Sequence, residues 1–418
     1  MTIVKNPMLK CLSGAMAALA AASAGAADIQ TEPRFDLRVE QNDNFNLVPG
    51  GSPDSNVYGY IADLAALFDI RTPRGLTEMR PRVKLQEFPD RPDLEKVELF
   101  FDTRSEYRTE RSRFFFDLNA SRQDLYNSET PSGDFDPLDP GGNTDGDSGQ
   151  IVIGETRTAL LASPTFEHRV SERASIGGSL RYQTARYDAD EGPTTKTDYD
   201  YSVLEGYVTW ALSPSTDFNV DAYGSNYEAR DNSEDTDAVG GGVGVDHRWN
   251  ETDGIQARVY YEQNDTKEFI PVVVTETTSD VGGELTMYRK LEVSEWRFTV
   301  GRSFIPTGDS GKATLDHARI QYDRMLSQRF SLRAAARYDS RNALGETTIT
   351  TGTDRDYARA DLSLRWYVTQ TWYVGGGYAY IWEDRQEAPS DASNNKIFLN
   401  FGYRALGRGD QSPFEEPK

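Results

Sequence analysis

The chain reads as an all-β protein, a transmembrane antiparallel up-and-down β-barrel of about 18 strands, with 16 as the alternative count. Three observations predict it. The dominant periodicity is two, the period of a strand with one polar and one apolar face. The links between periodic segments alternate between short and long. No apolar run outside the N-terminal segment approaches the ~20 residues that a membrane-crossing helix needs.

The periodic segments are 34–45, 57–70, 76–87, 96–108, 111–126, 156–171, 174–188, 197–212, 216–230, 236–249, 254–267, 276–290, 293–305, 312–325, 329–341, 354–368, 371–385 and 394–405. Short turns are expected at 71–75, 109–110, 172–173, 213–215, 250–253, 291–292, 326–328 and 369–370. Longer links fall between them, at 46–56, 88–95, 127–155, 189–196, 231–235, 268–274, 342–353 and 386–393; only the link at 306–311 is short out of turn. Membrane barrels pair short periplasmic turns with longer external loops, and an even strand number places both termini in the periplasm.

The first residues read as an export signal. Lys5 and Lys10 precede and flank a short apolar run, which ends in Ala24-Gly25-Ala26. That order predicts cleavage after Ala26. The expected organisation is a signal peptide over 1–26, a barrel over 27–405 and a short periplasmic tail over 406–418. Cys11 is the only cysteine and leaves with the signal, so neither disulfides nor cysteine metal centres are expected in the barrel. Losing Lys5 and Lys10 takes the net charge from −22 to about −24, which disfavours nucleic acid as a partner.

Three segments carry the face logic. In 371–385, Trp372, Val374, Gly376, Tyr378, Tyr380 and Trp382 share a face. The two tryptophans are ten residues apart, which at ~45° tilt is ~23 Å along the membrane normal, close to the ~25 Å apolar band between aromatic girdles. In 354–368, Ala358, Ala360, Leu362, Leu364, Trp366 and Val368 oppose Tyr357, Arg359, Asp361, Ser363, Arg365 and Tyr367. In 329–341, Phe330, Leu332, Ala334, Ala336 and Tyr338 oppose Ser331, Arg333, Arg337, Asp339 and Arg341. Trp366, Trp372 and Trp382 are therefore girdle residues. The charged face is too polar for a dry core, and barrels of ~16–18 strands enclose water. Arg333, Arg337, Arg359 and Arg365 are expected to line that lumen.

The link 127–155 is the third external loop. Its acidic residues include Glu129, Asp134, Asp136, Asp139, Asp145 and Asp147, with no Lys or Arg. Arg80, Arg82 and Lys84 alternate with apolar neighbours and point to a basic lumen wall. An acidic loop folded against that wall would form a selective constriction. The alternative is a solvated surface loop, because Gly, Pro and Asp dominate it. Asn143-Thr144-Asp145-Gly146-Asp147 has the start of a calcium loop but lacks its later Glu. His168 and His247 sit just before short turns on the apolar face, which suits the membrane interface better than a metal site. There is no G-x-S-x-G elbow and no H-E-x-x-H helix, so no enzyme, metal or cofactor is expected. The many inward Arg, Asp, Glu and Tyr suit hydrated solutes or a sugar polymer.

Phe35-Asp36-Leu37-Arg38-Val39-Glu40-Gln41-Asn42-Asp43-Asn44-Phe45, with the Tyr/Arg/Asp strand endings that follow, resembles the opening strand and Asp-Asn turn of the beta-barrel porin 2 type. The resemblance implies an integral location in a Gram-negative outer membrane and a link to exopolysaccharide gene clusters and export proteins. It supplies no catalytic residues. Function is then expected to be a porin-like channel for hydrophilic solutes, aiding polysaccharide secretion. The alternatives are a closed structural or assembly barrel, and a lipid- or glycan-modifying enzyme. Outer-membrane lipid, lipopolysaccharide and the barrel-assembly machinery are the expected partners. Many outer-membrane barrels end on an aromatic residue read by the assembly machinery; here 406–418 follows Phe401 and Tyr403.

Overall fold

A computed structural model describes residues 28–405 apart from 52–54, 131–153, 191, 193, 195, 232, 271, 310, 345–353 and 386–389. Eighteen strands run in chain order: β1 (Asp28–Asn42), β2 (Val57–Thr72), β3 (Gly75–Glu87), β4 (Lys96–Arg108), β5 (Ser112–Asp124), β6 (Glu155–Arg169), β7 (Ala174–Ala189), β8 (Tyr199–Ser213) and β9 (Thr216–Ala229). The second half continues with β10 (Glu234–Arg248), β11 (Asp253–Ile270), β12 (Val272–Lys290), β13 (Ser294–Pro306), β14 (Lys312–Ser327), β15 (Phe330–Ala343), β16 (Arg355–Tyr367), β17 (Trp372–Arg385) and β18 (Ala392–Arg404). Each pairs antiparallel with its sequence neighbours, and β1 also pairs with β18, from Arg34↔Arg404 to Asn42↔Lys396. The sheet closes on itself.

Closure and patterning together define the solvent. A closed ladder leaves no strand edge, so backbone N–H and C=O groups need no water. The outward residues are apolar and uncovered: Leu204 and Leu399 are each 67% exposed, and Ile397 is 60%. Leaving each such side chain in water rather than burying it would cost ~1.5–3 kcal/mol. The inward residues are the reverse: Glu98 is 0% exposed, Asp36 and Glu40 2%, and Arg359 7%. A barrel with an apolar exterior and a charged interior is built for hydrocarbon outside and polar contents inside. The chain is an integral outer-membrane protein.

Links at one end are short, at 73–74, 109–111, 170–173, 214–215, 249–252, 291–293, 328–329 and 368–371. At the other end three links stay short: 307–311, 230–233 and the single residue 271 between β11 and β12. The last differs from the expected link at 268–274. Phe269 pairs with Val273 and Ile270 with Val272. β-branched residues suit extended pairing even where strict alternation is lost.

β1 begins at Asp28, not at 34, because it pairs with β2 along its full length, starting from Asp28↔Arg71. The ladder to β18 starts at Arg34, and Pro33 sits at its very end, its carbonyl accepting from Ala405 N at 3.3 Å, a position where a missing N–H is tolerated.

Inward glycines receive flat tyrosines. A Cβ at Gly402 would lie 2.2 Å from the ring of Tyr373, whose hydroxyl donates to Asp36 at 3.0 Å across the β18–β1 seam. Gly402→Val should evict that ring, destabilising the barrel by ~1–3 kcal/mol. It is read as a lower temperature for loss of the fast-migrating, unheated band on a gel. Gly206→Ala, where nothing lies within 4 Å, should leave that temperature unchanged.

Candidate functional site

At the long-link end, the chain after β5 turns into the lumen as a short helix, α1 (Leu125–Glu129). Asp124 caps it, accepting from the Tyr126 N–H at 2.9 Å, the usual role of an aspartate at that position. Glu98 on β4 anchors the turn: one oxygen accepts from Asp124 N at 3.1 Å and from Asn127 Nδ2 at 2.8 Å. Its other oxygen accepts from Gln86 at 3.0 Å and lies 3.1 Å from Lys84 Nζ. Thr130 closes the helix, with its N and Oγ1 both donating to Tyr126 O, at 3.0 and 2.8 Å.

α1 is held from several sides of the lumen. Leu125 packs with Ala185, Tyr187, Tyr199, Tyr227 and Ala229 on β7–β9. Tyr126 stacks on Phe45 at 4.1 Å, within a cluster that includes Phe88, Leu94, Tyr357 and Ile381. Arg355 of β16 donates to the Glu129 carboxylate at 3.2 Å and to its carbonyl at 3.1 Å, and Arg341 of β15 lies 3.9 Å away. Arg359 reaches Thr130 O at 3.5 Å while forking onto Asp361 at 2.8 Å. Arg355 also meets Glu383 at 2.6 Å. Beneath α1 a cavity of about 50 Å³ remains, lined in part by Arg38, Glu40, Asp63, Lys84, Arg359 and Lys396.

A second tie crosses the same end. The β7–β8 link (190–198) and the β13–β14 link (307–311) join through a buried Lys196–Asp309 ion pair. Thr197 N donates to Gly308 O at 2.7 Å, and the Tyr227 hydroxyl to Thr307 O at 3.0 Å. Below them, Lys312 Nζ meets Glu262 at 2.6 Å and Asn264 at 2.9 Å.

The residues expected from sequence fall as follows. Arg80, Arg82 and Lys84 share the face of β3 opposite the exposed Leu85. Arg82 forks onto Asp63 at 2.9 and 2.6 Å and lies over the Phe100 ring, and Lys84 meets Glu98. Arg333 pairs with Asp323 and Arg337 with Asp339; Arg365 lies over the Tyr373 ring at 4.6 Å. The wall is thus mostly neutralised strand to strand. Asp134, Asp136, Asp139, Asp145 and Asp147, with the calcium-like run 143–147, lie outside the described residues. Trp366 stacks on Phe330, Trp372 joins Phe35, Phe401 and Tyr403 at the short-turn end, and Trp382 donates to Asp391 at 2.8 Å.

His168 and His247 share one arrangement. Each Nδ1 meets a hydroxyl on the preceding strand, Ser112 at 2.9 Å and Thr216 at 2.8 Å, beside an aromatic ring.

Sequence reasoning missed Arg355, Lys196, Asp309 and Lys312 as site residues, and treated Glu129 as one acid among many. The available signal was Asp124-Leu125-Tyr126, a capping residue and two large apolar side chains at the head of an acidic link.

No family model and no curated protein matches the chain. Among solved structures it is similar to OpdO of Pseudomonas aeruginosa (10% identity, TM-score 0.41, covering 91% of this chain and 98% of that one). It is also similar to a BenF-like porin of Pseudomonas fluorescens Pf-5 (8%, 0.44, 90% and 99%) and to OccAB3 of Acinetobacter baumannii (11%, 0.44, 90% and 99%). At that distance the likeness assigns neither solute nor role.

Burial holds the Asp309 carboxyl above its ordinary range, at about 6, against the opposing pull of Lys196 and Arg341; Glu129 adds to the rise. The packed links therefore bind this proton more tightly than links opened to water, where an aspartate titrates near ~3.9. Acidification between about pH 6 and 4 should favour the packed arrangement, and rising pH should weaken it. After correction for intrinsic rates, exchange at the Thr197 amide should be slower at about pH 5 than at about pH 7.5, and Asp309→Asn should remove the difference. Faster exchange in acid would contradict the assignment.

Proposed function

We propose that the barrel is a passive channel for hydrophilic solutes, with passage set where α1 meets Arg341, Arg355 and Arg359. The observation that carries this reading is the inward turn of residues 125–130 at the head of the third long link, which brings Glu129 onto a basic wall inside a charged lumen. Opposed fixed charges at a narrowing select solutes by charge. The β3 face expected from sequence meets the same turn from another side, where Lys84 and Gln86 hold Glu98 and Glu98 holds Asn127; the loop aspartates of that expectation lie outside the described residues.

The closed structural barrel is the second reading. The two apolar clusters that grip α1 favour it, since they fill interior space beside the helix. A role in polysaccharide secretion rests on the resemblance of residues 35–45. Contacts with export proteins rest on the same resemblance; contacts with lipopolysaccharide and the assembly machinery rest on the outer-membrane setting.

Planar bilayers separate the readings. The channel reading expects discrete conductance steps. Glu129→Ala should raise the step by about two-fold or more and shift selectivity toward anions, because Arg341 and Arg355 lose an acid. Arg82→Ser should have a smaller effect. Unchanged conductance and selectivity in Glu129→Ala would remove the constriction; absence of any steps would leave the closed barrel. Deleting the gene and finding normal polysaccharide secretion would end the export link.

A further inference from the structure

The lumen wall of β8–β11 carries an arrangement that the constriction does not use. Three inward tyrosines reach over glycines of the sheet, and the Tyr223 and Tyr260 rings stand at 71° to each other. The site a Cβ would take at Gly177 is 2.3 Å from Tyr207 Cζ, at Gly240 2.4 Å from Tyr223 Cζ, and at Gly282 2.4 Å from Tyr260 Cζ. The tip of each ring therefore occupies space that any side chain other than hydrogen would fill. Two are pinned at the tip. The Tyr223 hydroxyl donates to Glu262 at 3.0 Å, and that of Tyr260 to Arg302 O at 2.9 Å.

The register sets these rings in a checkerboard with charge. One row across the strands reads Tyr207, Asp221, Gly242, Tyr260, and the next reads Glu205, Tyr223, Gly240, Glu262. Rows two residues apart lie ~6.6 Å apart along the strand, and neighbouring strands ~4.8 Å apart. Arg258 bridges the rows, donating to Asp221 at 2.6 Å and to Glu205 at 3.0 Å. The rim is open to the lumen: the Arg258 side chain is 38% exposed and that of Glu205 27%. Charge nearly balances, because Arg258 offsets Glu205 and Asp221 in part and Lys312 offsets Glu262.

We propose that Tyr207, Tyr223 and Tyr260, with Glu205 and Arg258 at their edges, form a binding platform for neutral saccharides. A pyranose presents a face of C–H groups and an equator of hydroxyls. Aromatic ring faces match the first, and the pinned tips of Tyr223 and Tyr260 reduce the entropy of orienting them. Carboxylate and guanidinium groups beside the rings match the second, accepting from and donating to paired hydroxyls. The near balance of charge, with carboxylates predominating, disfavours an anionic sugar at this patch. Spacing by rows would let successive units of an oligomer meet successive rings. This assignment rests on the channel reading for its access route, but the platform itself does not require ion flow.

The test uses the full barrel, with maltohexaose as the neutral probe and an oligoglucuronate as the anionic one. Calorimetry on the detergent-solubilised protein reads binding; planar bilayers read transient block of current. Maltohexaose should bind more tightly than the oligoglucuronate. The double variant Tyr207→Leu/Tyr223→Leu should weaken it about ten-fold or more, and Tyr207→Phe/Tyr223→Phe, which keeps both rings, should stay within about three-fold. Should the leucine variant fail to show heat-modifiable migration, Glu205→Gln carries the test, with an expected loss of about three-fold or more. Conductance steps without maltohexaose binding would overturn the platform and leave the channel. Binding without steps would keep the platform and overturn the channel. Equal affinity in the leucine variant, or in Glu205→Gln where that carries the test, would place the sugar elsewhere.

Discussion

Closure of the backbone ladder between β1 and β18 is the constraint on which everything else depends. In hydrocarbon an unpaired peptide group is too costly to leave, so a sheet must either close or stay out of the membrane. Pairing from Arg34↔Arg404 to Asn42↔Lys396 achieves closure. The Tyr373–Asp36–Asn400 hydrogen bonds, at 3.0 and 2.6 Å, then lock the seam from inside. Once the ring is closed, period-two sequence has only one consistent placement, with Leu, Val and Phe outward and charge inward.

Charge inside a closed ring needs partners, and the antiparallel register supplies them. Asp63 and Arg82 face each other across β2 and β3, and Lys84 and Glu98 pair directly across β3 and β4. Such pairs stiffen the wall and leave few cations available to anything that enters. The segment that enters, α1, is received by residues with capacity left for its carbonyls and carboxylate: Arg355 serves both Glu383 and Glu129, and Arg359 both Asp361 and Thr130. The constriction is therefore assembled from shared partners.

Most of the fold was legible because a strand's two faces are written at every second residue. All eighteen segments have a counterpart, and boundaries such as 57, 76 and 96 agree within a residue or two. The late start expected for β1 has a local cause: Pro33 lies just past the end of the β18 ladder, where only the Ala405 N–H still reaches its carbonyl. The site was less legible. That β3 and β16 turn Arg82 and Arg359 inward follows from alternation. That Glu129 docks on Arg355, 226 residues away, follows only from closure, which brings β16 opposite the end of β5. Lys196 and Asp309 likewise lie in links whose sequences carry no periodic signal.

The central claim is that one face of each strand meets lipid and the other a polar lumen. It is tested most directly by spin-label accessibility along β16. The sole cysteine, Cys11, lies within the segment expected to be removed, so single cysteines at each position from 358 to 366 can be labelled without background. The account predicts that oxygen accessibility peaks at the positions of Ala358, Ala360, Leu362, Leu364 and Trp366. Accessibility to a water-soluble nickel chelate should be lower there, with any maxima at intervening positions such as Ser363. Accessibilities that rise and fall together, or that show no period of two, would contradict it.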